Sequence, residues 1–577
     1  MSDGDLIREP RPRFAHWLTE PMRRNRATYV KVAVAATMIN LFGLVTALFT
    51  MTVYDRVVPH NATSSLVALS IGLAIVVLFD FALRLLRAYF VDVAGADIDR
   101  DVGETVFARM LRMQLATRRG STGALAGLMR ELEALREFFA SVTLTAIVDV
   151  PFIAITLLVT WMIGGAVVWV PLLAVPIVIL TGVLTQPAMD RLSARAMSEG
   201  LVKQSVLVEA IGGIETVKAS GAAPLLLKRW DRAVDGQSSY ALRQRLIGTI
   251  GVTVATTCGT LSYAGVVIVG VGLIASGDLT TGALIACSIL AGRAVAPLAQ
   301  IAQLLSRITA TRTAYRQIDE LMGQPAEGPA GEGLQLRRAE GRIEFRNVSA
   351  RYPGAAERAL NGVSFAIQPG EHVALLGRVG SGKSTVARLI LGLYEPEDGV
   401  VMIDGTDVRQ FDPAALRANI GAALQDNVLL SGTVRENITL ERGDVDDAEL
   451  LRASGLSGTH EFMGRIANGY DLKLADRGEG LSGGQRQSIS LARALAGSPP
   501  ILLFDEPTSA MDTQSEAALI ARLRPEMEGR TLLLITHRPT MLQLVNRIIL
   551  MDNGRVVGDG PRDAVLQRLA RPSPRAA

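Results

Sequence analysis

A chain of 577 residues exceeds what one hydrophobic core sustains, since single cores stop growing at about 250 to 300 residues, so more than one domain is expected. An apolar share of 49% and a mean hydropathy of +0.29 are high for a soluble enzyme, yet the second half holds ordinary charged stretches, which puts about half of the chain in contact with membrane lipids. The 59 basic and 56 acidic residues leave +3, too balanced to point to a nucleic-acid partner, and two cysteines, Cys258 and Cys287, both inside apolar runs, exclude a disulfide framework or a zinc site.

Residues 1–28 carry Arg8, Arg11, Arg13, Arg23, Arg24 and Arg26 without an apolar core and small-residue cleavage site, which argues for an uncleaved cytoplasmic N-terminal segment. A helix needs about 20 apolar residues to cross the hydrocarbon core. Stretches of that kind occur at 32–53, at 61–79 and, prolonged back to 141, at 150–189, which is too long for one span and is divided at Gly164-Gly165. Further stretches lie at 246–277 and at 279–306, the latter broken by Arg293. Six spans within a membrane domain at 29–322 are predicted. Between spans two and three lie Arg84, Arg87, Arg100, Arg109, Arg112, Arg118, Arg119, Arg130 and Arg136, against Arg56 alone after span one, so the positive-inside rule places both termini and both long connections in the cytoplasm. Those connections, 88–140 and 190–245, have helical apolar spacing; they read as extensions of the spanning helices that touch a cytosolic domain, or as solvated hairpins.

Three ionisable residues fall in or beside the spans, where a charge at mid-bilayer costs about 2.5 to 3.5 kcal/mol. Asp80 has Arg84 one turn on and suits an i,i+4 pair. Asp149 precedes Val150-Pro151, and Arg293 lies before Pro297; each either lines a polar path or pairs between helices, and Arg293 is expected to face the interior cavity.

Glycine and proline dominate 323–333, so 323–340 reads as a linker to a soluble α/β domain at 341–577. Strands are predicted at 342–348 and before Pro369-Gly370, with a turn at Pro353-Gly354. Tyr352, just before that turn, suits either edge packing or a stacking surface for adenine. Residues 377–385 read Gly-Arg-Val-Gly-Ser-Gly-Lys-Ser-Thr, launched by the strand 372–376 and followed by helix 386–391. Such a loop converges backbone N–H groups on phosphate oxygens; Lys383 adds a mobile cation, and the Ser384 hydroxyl suits Mg2+. Further on stand Leu481-Ser482-Gly483-Gly484-Gln485 and the apolar run 501–504 ending in Asp505-Glu506. A buried central strand delivers such carboxylates at its C-terminal end, Asp505 for a Mg2+ contact and Glu506 to polarise the water that attacks the γ-phosphate. Thr536-His537-Arg538-Pro539 follows another apolar strand, 531–535, where a lone histidine is ordinarily a packed residue.

With these motifs in hand, the chain resembles an ATP-binding-cassette exporter half-transporter: an α-helical six-span transmembrane domain fused to an α/β P-loop ATPase domain, over roughly 29–570. The resemblance implies that Tyr352 stacks on adenine and that Gly377, Gly380, Ser381, Gly382, Lys383, Ser384 and Thr385 cradle the phosphates. It further implies that Gln425 contacts Mg2+ and senses the membrane domain, and that Ser482, Gly483, Gly484 and Gln485 close on the ATP held by another subunit. Glu506 is then the catalytic base, Asp512 part of the loop between sites, and His537 the switch on the γ-phosphate. Asp476-Arg477-Gly478 falls where such exporters meet their cytoplasmic helices. One ATPase domain with every motif intact implies a homodimer with two competent sites.

Within that family the chain is most similar to type I secretion ATPases. The similarity rests on 53–59, Val-Tyr-Asp-Arg-Val-Val-Pro; on Leu135-Arg136-Glu137-Phe138-Phe139; on Val148-Asp149-Val150-Pro151-Phe152; and on 213–219, Gly-Ile-Glu-Thr-Val-Lys-Ala. It implies an inner-membrane location, a polypeptide substrate such as a repeat-rich adhesin, protease or toxin, a periplasmic adaptor and an outer-membrane channel. Many such exporters carry an N-terminal cysteine-peptidase domain or an inactive relative of it. About 28 residues before the first span, without a cysteine, leave no room for one, so leader cleavage is not expected. Export or flipping of lipids or amphiphiles, and an ATP-gated channel or regulator, are the alternatives.

Overall fold

The computed structural model describes residues 15–117, 122–137, 143–329, 333–426, 428–466 and 468–570. The N-terminal arginines up to Arg13, Arg118, Arg119, Phe138, Phe139, linker residues 330–332 and the C-terminal seven lie outside that set. The chain divides into two compact units, one of Met1–Leu111 with Arg119–Gln324, the other of Arg112–Arg118 with Pro325–Ala577.

The first unit is helical: α1 (His16–Arg24), α2 (Arg26–Thr52), the short α3 (Val58–His60), α4 (Thr63–Leu111), α5 (Thr122–Glu137), α6 (Thr143–Gly164), α7 (Trp169–Gly212), α8 (Ile214–Ala219), α9 (Ala223–Ala275) and α10 (Thr281–Met322). Closing every backbone bond inside a helix is what lipid demands, because no water is there to take an orphan N–H or C=O. Among the described residues four stretches are long and apolar enough to cross a membrane, Arg26–His60, Thr63–Leu111, Asp149–Gly212 and Ala223–Ala275, with a shorter apolar piece at Thr281–Pro297. The third contains the expected break: α6 stops at Gly164, and Gly165 takes φ +51, a left-handed turn that an α-helix does not admit. The segments predicted to span lie on α2, α4, α6, α7, α9 and α10. The connections do extend them, α4 to Leu111, α7 to Gly212 and α9 from Ala223.

Polar pins join the helices where sequence alone left alternatives open. Asn40 of α2 donates to Asp149 of α6 at 2.6 Å, and the Arg293 guanidinium of α10 donates to the Gly43 carbonyl of α2. A Cβ on Gly43 would fall 1.9 Å from that guanidinium, so only glycine leaves room for it. Arg293, expected to face the cavity, is therefore seated between helices. Asp80 and Arg84 form the anticipated i,i+4 pair at 2.7 Å. The stretch after span one is no loop: 53–57 is a turn of π-helix, and its Asp55 accepts from Thr280 Oγ1 at 2.7 Å and from Gly282 N at 2.8 Å, capping the start of α10. At the other end, α1 docks on α10 through a stack of Trp17 on Tyr315 and a Trp17 Nε1 bond to Asp319.

Among its described residues the second unit carries twelve strands: β1 (Ile343–Ala350), β2 (Leu360–Ile367), β3 (His372–Gly377), β4 (Asp398–Ile403), β5 (Thr406–Asp407), β6 (Ile420–Ala423), β7 (Gly432–Thr433), β8 (Lys473–Leu474), β9 (Ile501–Asp505), β10 (Thr531–Ile535), β11 (Arg547–Asp552) and β12 (Arg555–Pro561). They form a sheet ordered β2-β1-β4-β5, a sheet ordered β12-β11-β3-β10-β9-β6 and the small pair β7-β8. In the large sheet all pairings but β11–β12 are parallel. Both β9 and β10 are buried at every position, as strands covered on both faces must be. Leu503 and Leu533 face a core with Phe345, Val401 and Leu389, while Leu502, Phe504, Leu532 and Leu534 face a second core with Ile489, Leu495 and Leu523. Register aligns the strand ends: Ile535 of β10 lies between Leu375 of β3 and Asp505 of β9.

The predicted linker is stitched to this unit. Met113 bridges Ala326, Glu327 N donates to Arg112 O at 2.6 Å, and Gln114 Nε2 donates to Glu395 at 2.8 Å. Farther along, Leu334 bridges Phe411. The tip of the first long connection thus pairs as a strand with the segment that enters the ATPase fold.

Candidate functional site

The C-terminal ends of β3, β9 and β10 converge on the loop 377–382 and the helix α11 (Lys383–Ile390 in chain order after α10). Two glycines here are dictated by space and conformation. A Cβ on Gly377 would meet the Met551 carbonyl at 2.2 Å, and Gly382, at φ +97, would meet the Ala359 carbonyl at 2.5 Å. Gly380 also takes a left-handed φ, with open space beside it. This leaves a narrow loop of backbone N–H groups ending at a helix start, the arrangement that favours phosphate.

Lys383 is buried, its Nζ donating to the Gly377 and Arg378 carbonyls at 2.8 Å each and reaching Ser381 Oγ at 3.4 Å. Burial holds its ammonium below the usual lysine range, partly offset by Asp505 and Glu506. The Ser384 hydroxyl is near enough to draw the Asp505 carboxyl down, so the two residues singled out for Mg2+ are neighbours. Burial pushes Asp505 up, against the pull of Ser384, Arg388 and Lys383. These residues fit a magnesium nucleotide: hard oxygen donors, an adjacent cation and a glycine-lined cradle.

Glu506 occupies a strained backbone, φ +54, held by its own N–H donating to Ile535 O at 2.8 Å. Among the described residues its Oε1 is buried without a hydrogen-bond partner, and His537 Nε2 stands 3.6 Å from that oxygen. Burial pushes the Glu506 carboxyl up, the His537 imidazole pulls it back and Asp505 adds to the rise. A carboxylate with a free lone pair, raised basicity and a nearby imidazole is equipped to take a proton from water.

Tyr352 joins this cluster from the loop after β1. Its hydroxyl lies 3.0 Å from Thr385 Oγ1 and accepts from Arg388 at 2.7 Å, and its ring meets Tyr394 edge-on at 5.1 Å. Packing and an aromatic surface beside the loop are both present. Gln425 is exposed just beyond β6, whose Ala423 pairs with Phe504, one residue before Asp505.

Ser482, Gly483, Gly484 and Gln485, the signature residues of the family resembled, stand apart. After α12 (Pro413–Ala418), α13 (Val434–Thr439), α14 (Asp447–Ser457) and α15 (Thr459–Met463), helix α16 (Gly483–Leu495) opens with a reciprocal capping box: Ser482 Oγ accepts from Gln485 N, and Gln485 Oε1 accepts from Ser482 N. Among the described residues no hydrogen bond joins 482–485 to 377–385. Asp512 caps α17 (Thr513–Glu526), accepting from Ser515 N at 2.8 Å and Ser515 Oγ at 2.9 Å, bonds that hold its carboxyl below the usual range.

Two connections escaped the motif reading. Arg493 of α16 donates to Asn437 O, Asn437 Oδ1 and Val428 O, clamping the segment after Gln425 to the signature helix with carbonyls rather than an acid. Gln487, 1% exposed, bonds Glu506 O, Ser509 Oγ and Ala510 N. Gln487 and Arg493 are large polar residues on a helix that is mostly buried; that discord was the available signal.

Comparison with known proteins agrees with this geometry. Residues 30–297 match the ABC transporter transmembrane region and residues 360–509 the ABC transporter family. The chain is 34% identical to the toxin RTX-I translocation ATP-binding protein of Actinobacillus pleuropneumoniae over 95% of this chain and 78% of the relative. The exotoxin translocation ATP-binding protein PaxB of Pasteurella aerogenes is likewise 34% identical, over 96% of this chain and 78% of the relative. The structure of a bacterial Atm1-family ABC exporter with ATP bound superposes with a TM-score of 0.82 at 26% identity, covering 96% of this chain and 97% of that one. A helical membrane unit, a P-loop cradle with its carboxylates at neighbouring strand ends, and relatives matched along nearly the whole chain make this protein a member of the ABC transporter family, an exporter with its membrane and ATPase domains in one polypeptide.

Proposed function

We propose that this exporter is the energising subunit of a type I secretion system, moving an unfolded polypeptide such as a toxin, adhesin or protease. It works as a homodimer in the inner membrane, with both termini cytoplasmic, together with a periplasmic adaptor and an outer-membrane channel. The observation that carries this reading is the likeness, along nearly the whole of this chain, to toxin translocation ATP-binding proteins. The division into 1–28, 29–322, 323–340 and 341–577 is retained, the linker now being a strap on the ATPase rather than a loose tether.

In this reading Lys383 and the loop N–H groups hold the β- and γ-phosphates, Tyr352 stacks on the adenine, and Thr385 closes the cradle from the helix side. Ser384, Asp505 and Gln425 would hold Mg2+, which when bound neutralises phosphate charge and polarises the bond to be broken. Glu506 takes the proton of the attacking water through its unpartnered oxygen, and His537 holds the γ-phosphate side of that water. Ser482, Gly483, Gly484 and Gln485 close on the partner subunit's ATP, because a helix start with capped N–H groups is a second anion site that its own P-loop does not use. Asp512 shapes the loop between the two sites.

The test is purification from a host carrying the neighbouring secretion genes. Retention of an adaptor protein by the detergent-solubilised dimer, with loss of a secreted polypeptide on Glu506→Gln, is expected. ATPase activity stimulated by lipid, with no protein partner and no change in secreted polypeptides, overturns the reading in favour of lipid export; ion current persisting without hydrolysis favours a channel.

A further inference from the structure

The carboxamide of Gln487 makes all three of its hydrogen bonds to one loop and none to its own helix. Nε2 donates to Glu506 O at 2.8 Å and to Ser509 Oγ at 3.1 Å, and Oε1 accepts from Ala510 N at 3.0 Å. It is 1% exposed, on a helix whose Ile489, Leu491 and Leu495 are buried in the core. A buried amide is costly unless its bonds are made, and an aliphatic side chain would fill the position without that demand.

What Gln487 grips is unusual. Glu506 is a non-glycine residue at φ +54, and its backbone is fixed from one side by Ile535 O and from the other by Gln487. Ala510, gripped by the same carboxamide, is seated on the signature glycines: a Cβ on Gly483 would lie 3.2 Å from Ala510 Cβ, and one on Gly484 3.2 Å from Ala510 O. The loop 506–510 and the first turns of α16 are thereby one block. Arg538 adds a second tie to that loop, donating to Ser509 O and to the buried Glu516.

We infer that Gln487 is a positioning residue that locks the backbone of the catalytic glutamate to the signature helix of the same subunit. This rests on the head-to-tail homodimer proposed above. There, each subunit's Glu506 serves its own nucleotide while its signature serves the partner's, so a displacement at one site reaches the other through this amide. Gln487 spends its polar atoms on the loop; it sets where Glu506 and 482–484 stand relative to each other.

The experiment uses the full chain in proteoliposomes as wild type, Gln487→Met, which keeps the shape without the bonds, and Gln487→Glu, which keeps the acceptor for Ala510 N–H but loses both donors. Three quantities are read: kcat for ATP hydrolysis, affinity for a fluorescent ATP analogue with Mg2+, and the melting temperature in detergent. For Gln487→Met, kcat falls by about tenfold or more while affinity stays within about threefold and melting is retained, with Gln487→Glu between it and wild type. A kcat within about twofold of wild type overturns the inference, as does a parallel fall of kcat, affinity and melting temperature, which signals a merely structural amide. Wild-type protein that hydrolyses no ATP overturns the dimeric reading with it, whereas an active wild type beside an equally active Gln487→Met overturns the inference alone.

Discussion

The membrane unit and the ATPase unit satisfy their backbones by opposite means. In the first, helices of up to 53 residues close their own hydrogen bonds and turn apolar side chains outward; Ile71, Phe81 and Ile268 are all more than half exposed. In the second, β9 and β10 surrender every side chain to the interior and bond to neighbours far away in sequence. Outward apolar surface is what lipid or a second copy covers. Buried parallel strands instead hold their C-terminal ends still, which is why the chemistry collects at Gly377, Asp505 and Ile535. In the membrane unit specificity rests on a few pins, Asn40–Asp149, Arg293–Gly43 and Asp55–Thr280; in the ATPase unit nearly every functional side chain has a named partner.

The sharpest way to break this contrast is Glu506→Gln. If the ATPase unit alone holds the chemistry, steady-state hydrolysis should drop by about 10²- to 10⁴-fold, the range a lost general base costs, while the variant still binds ATP and accumulates as a closed dimer. Near-normal turnover would remove Glu506 from the base role. Lys383→Met comes next: losing charge-assisted bonds worth about 1.5 to 3 kcal/mol should weaken nucleotide binding by about 10- to 150-fold in a direct binding assay. Unchanged affinity would mean that the lysine stays on its loop carbonyls throughout.

Asn40→Leu probes the membrane unit, where it leaves Asp149 without its 2.6 Å donor. A cost of about 1 to 3 kcal/mol is expected, read as a lower melting temperature in detergent with nucleotide affinity intact. A fall in affinity instead would show that the pin serves the ATPase. Asp512→Ala should lower the denaturation midpoint slightly through loss of the cap on α17, with nucleotide affinity unchanged. The smallest effect is a shift of pH profile. Burial raises the Glu506 carboxyl, so it is protonated at pH values where an ordinary glutamate is ionised, and kcat should be lost as pH falls through that raised value. An acid limb at or below the ordinary glutamate range would contradict that burial.

Much of the ATPase site was legible because its motifs are local. A loop such as 377–385 carries its own glycines, cation and hydroxyl in one run, and Asp505-Glu506 ends its own apolar strand; β10 appears where the apolar run 531–535 lies. The break at Gly164-Gly165 and the Asp80–Arg84 pair were equally local. Gln487 and Arg493 were not, since their partners lie 19 to 65 residues away and nothing in a single sequence pairs them. The same holds for Asp55 on the start of α10, 225 residues on, and for the strand-like pairing of Met113 with Ala326.

Hydropathy, charge placement and contiguous motifs by themselves determined that this chain is a lipid-embedded helical unit joined to a P-loop ATPase, because each of those signals acts over one turn, one strand or one bilayer thickness. Tertiary structure alone decided that Arg293 sits between helices, that the linker is strapped to the tip of the first connection, and that a buried amide binds the Glu506 backbone to the helix that Ser482 caps. The physical reason is one of range: hydrogen bonds form between groups within about 3 Å, and which distant residues come that close is decided only when the chain packs.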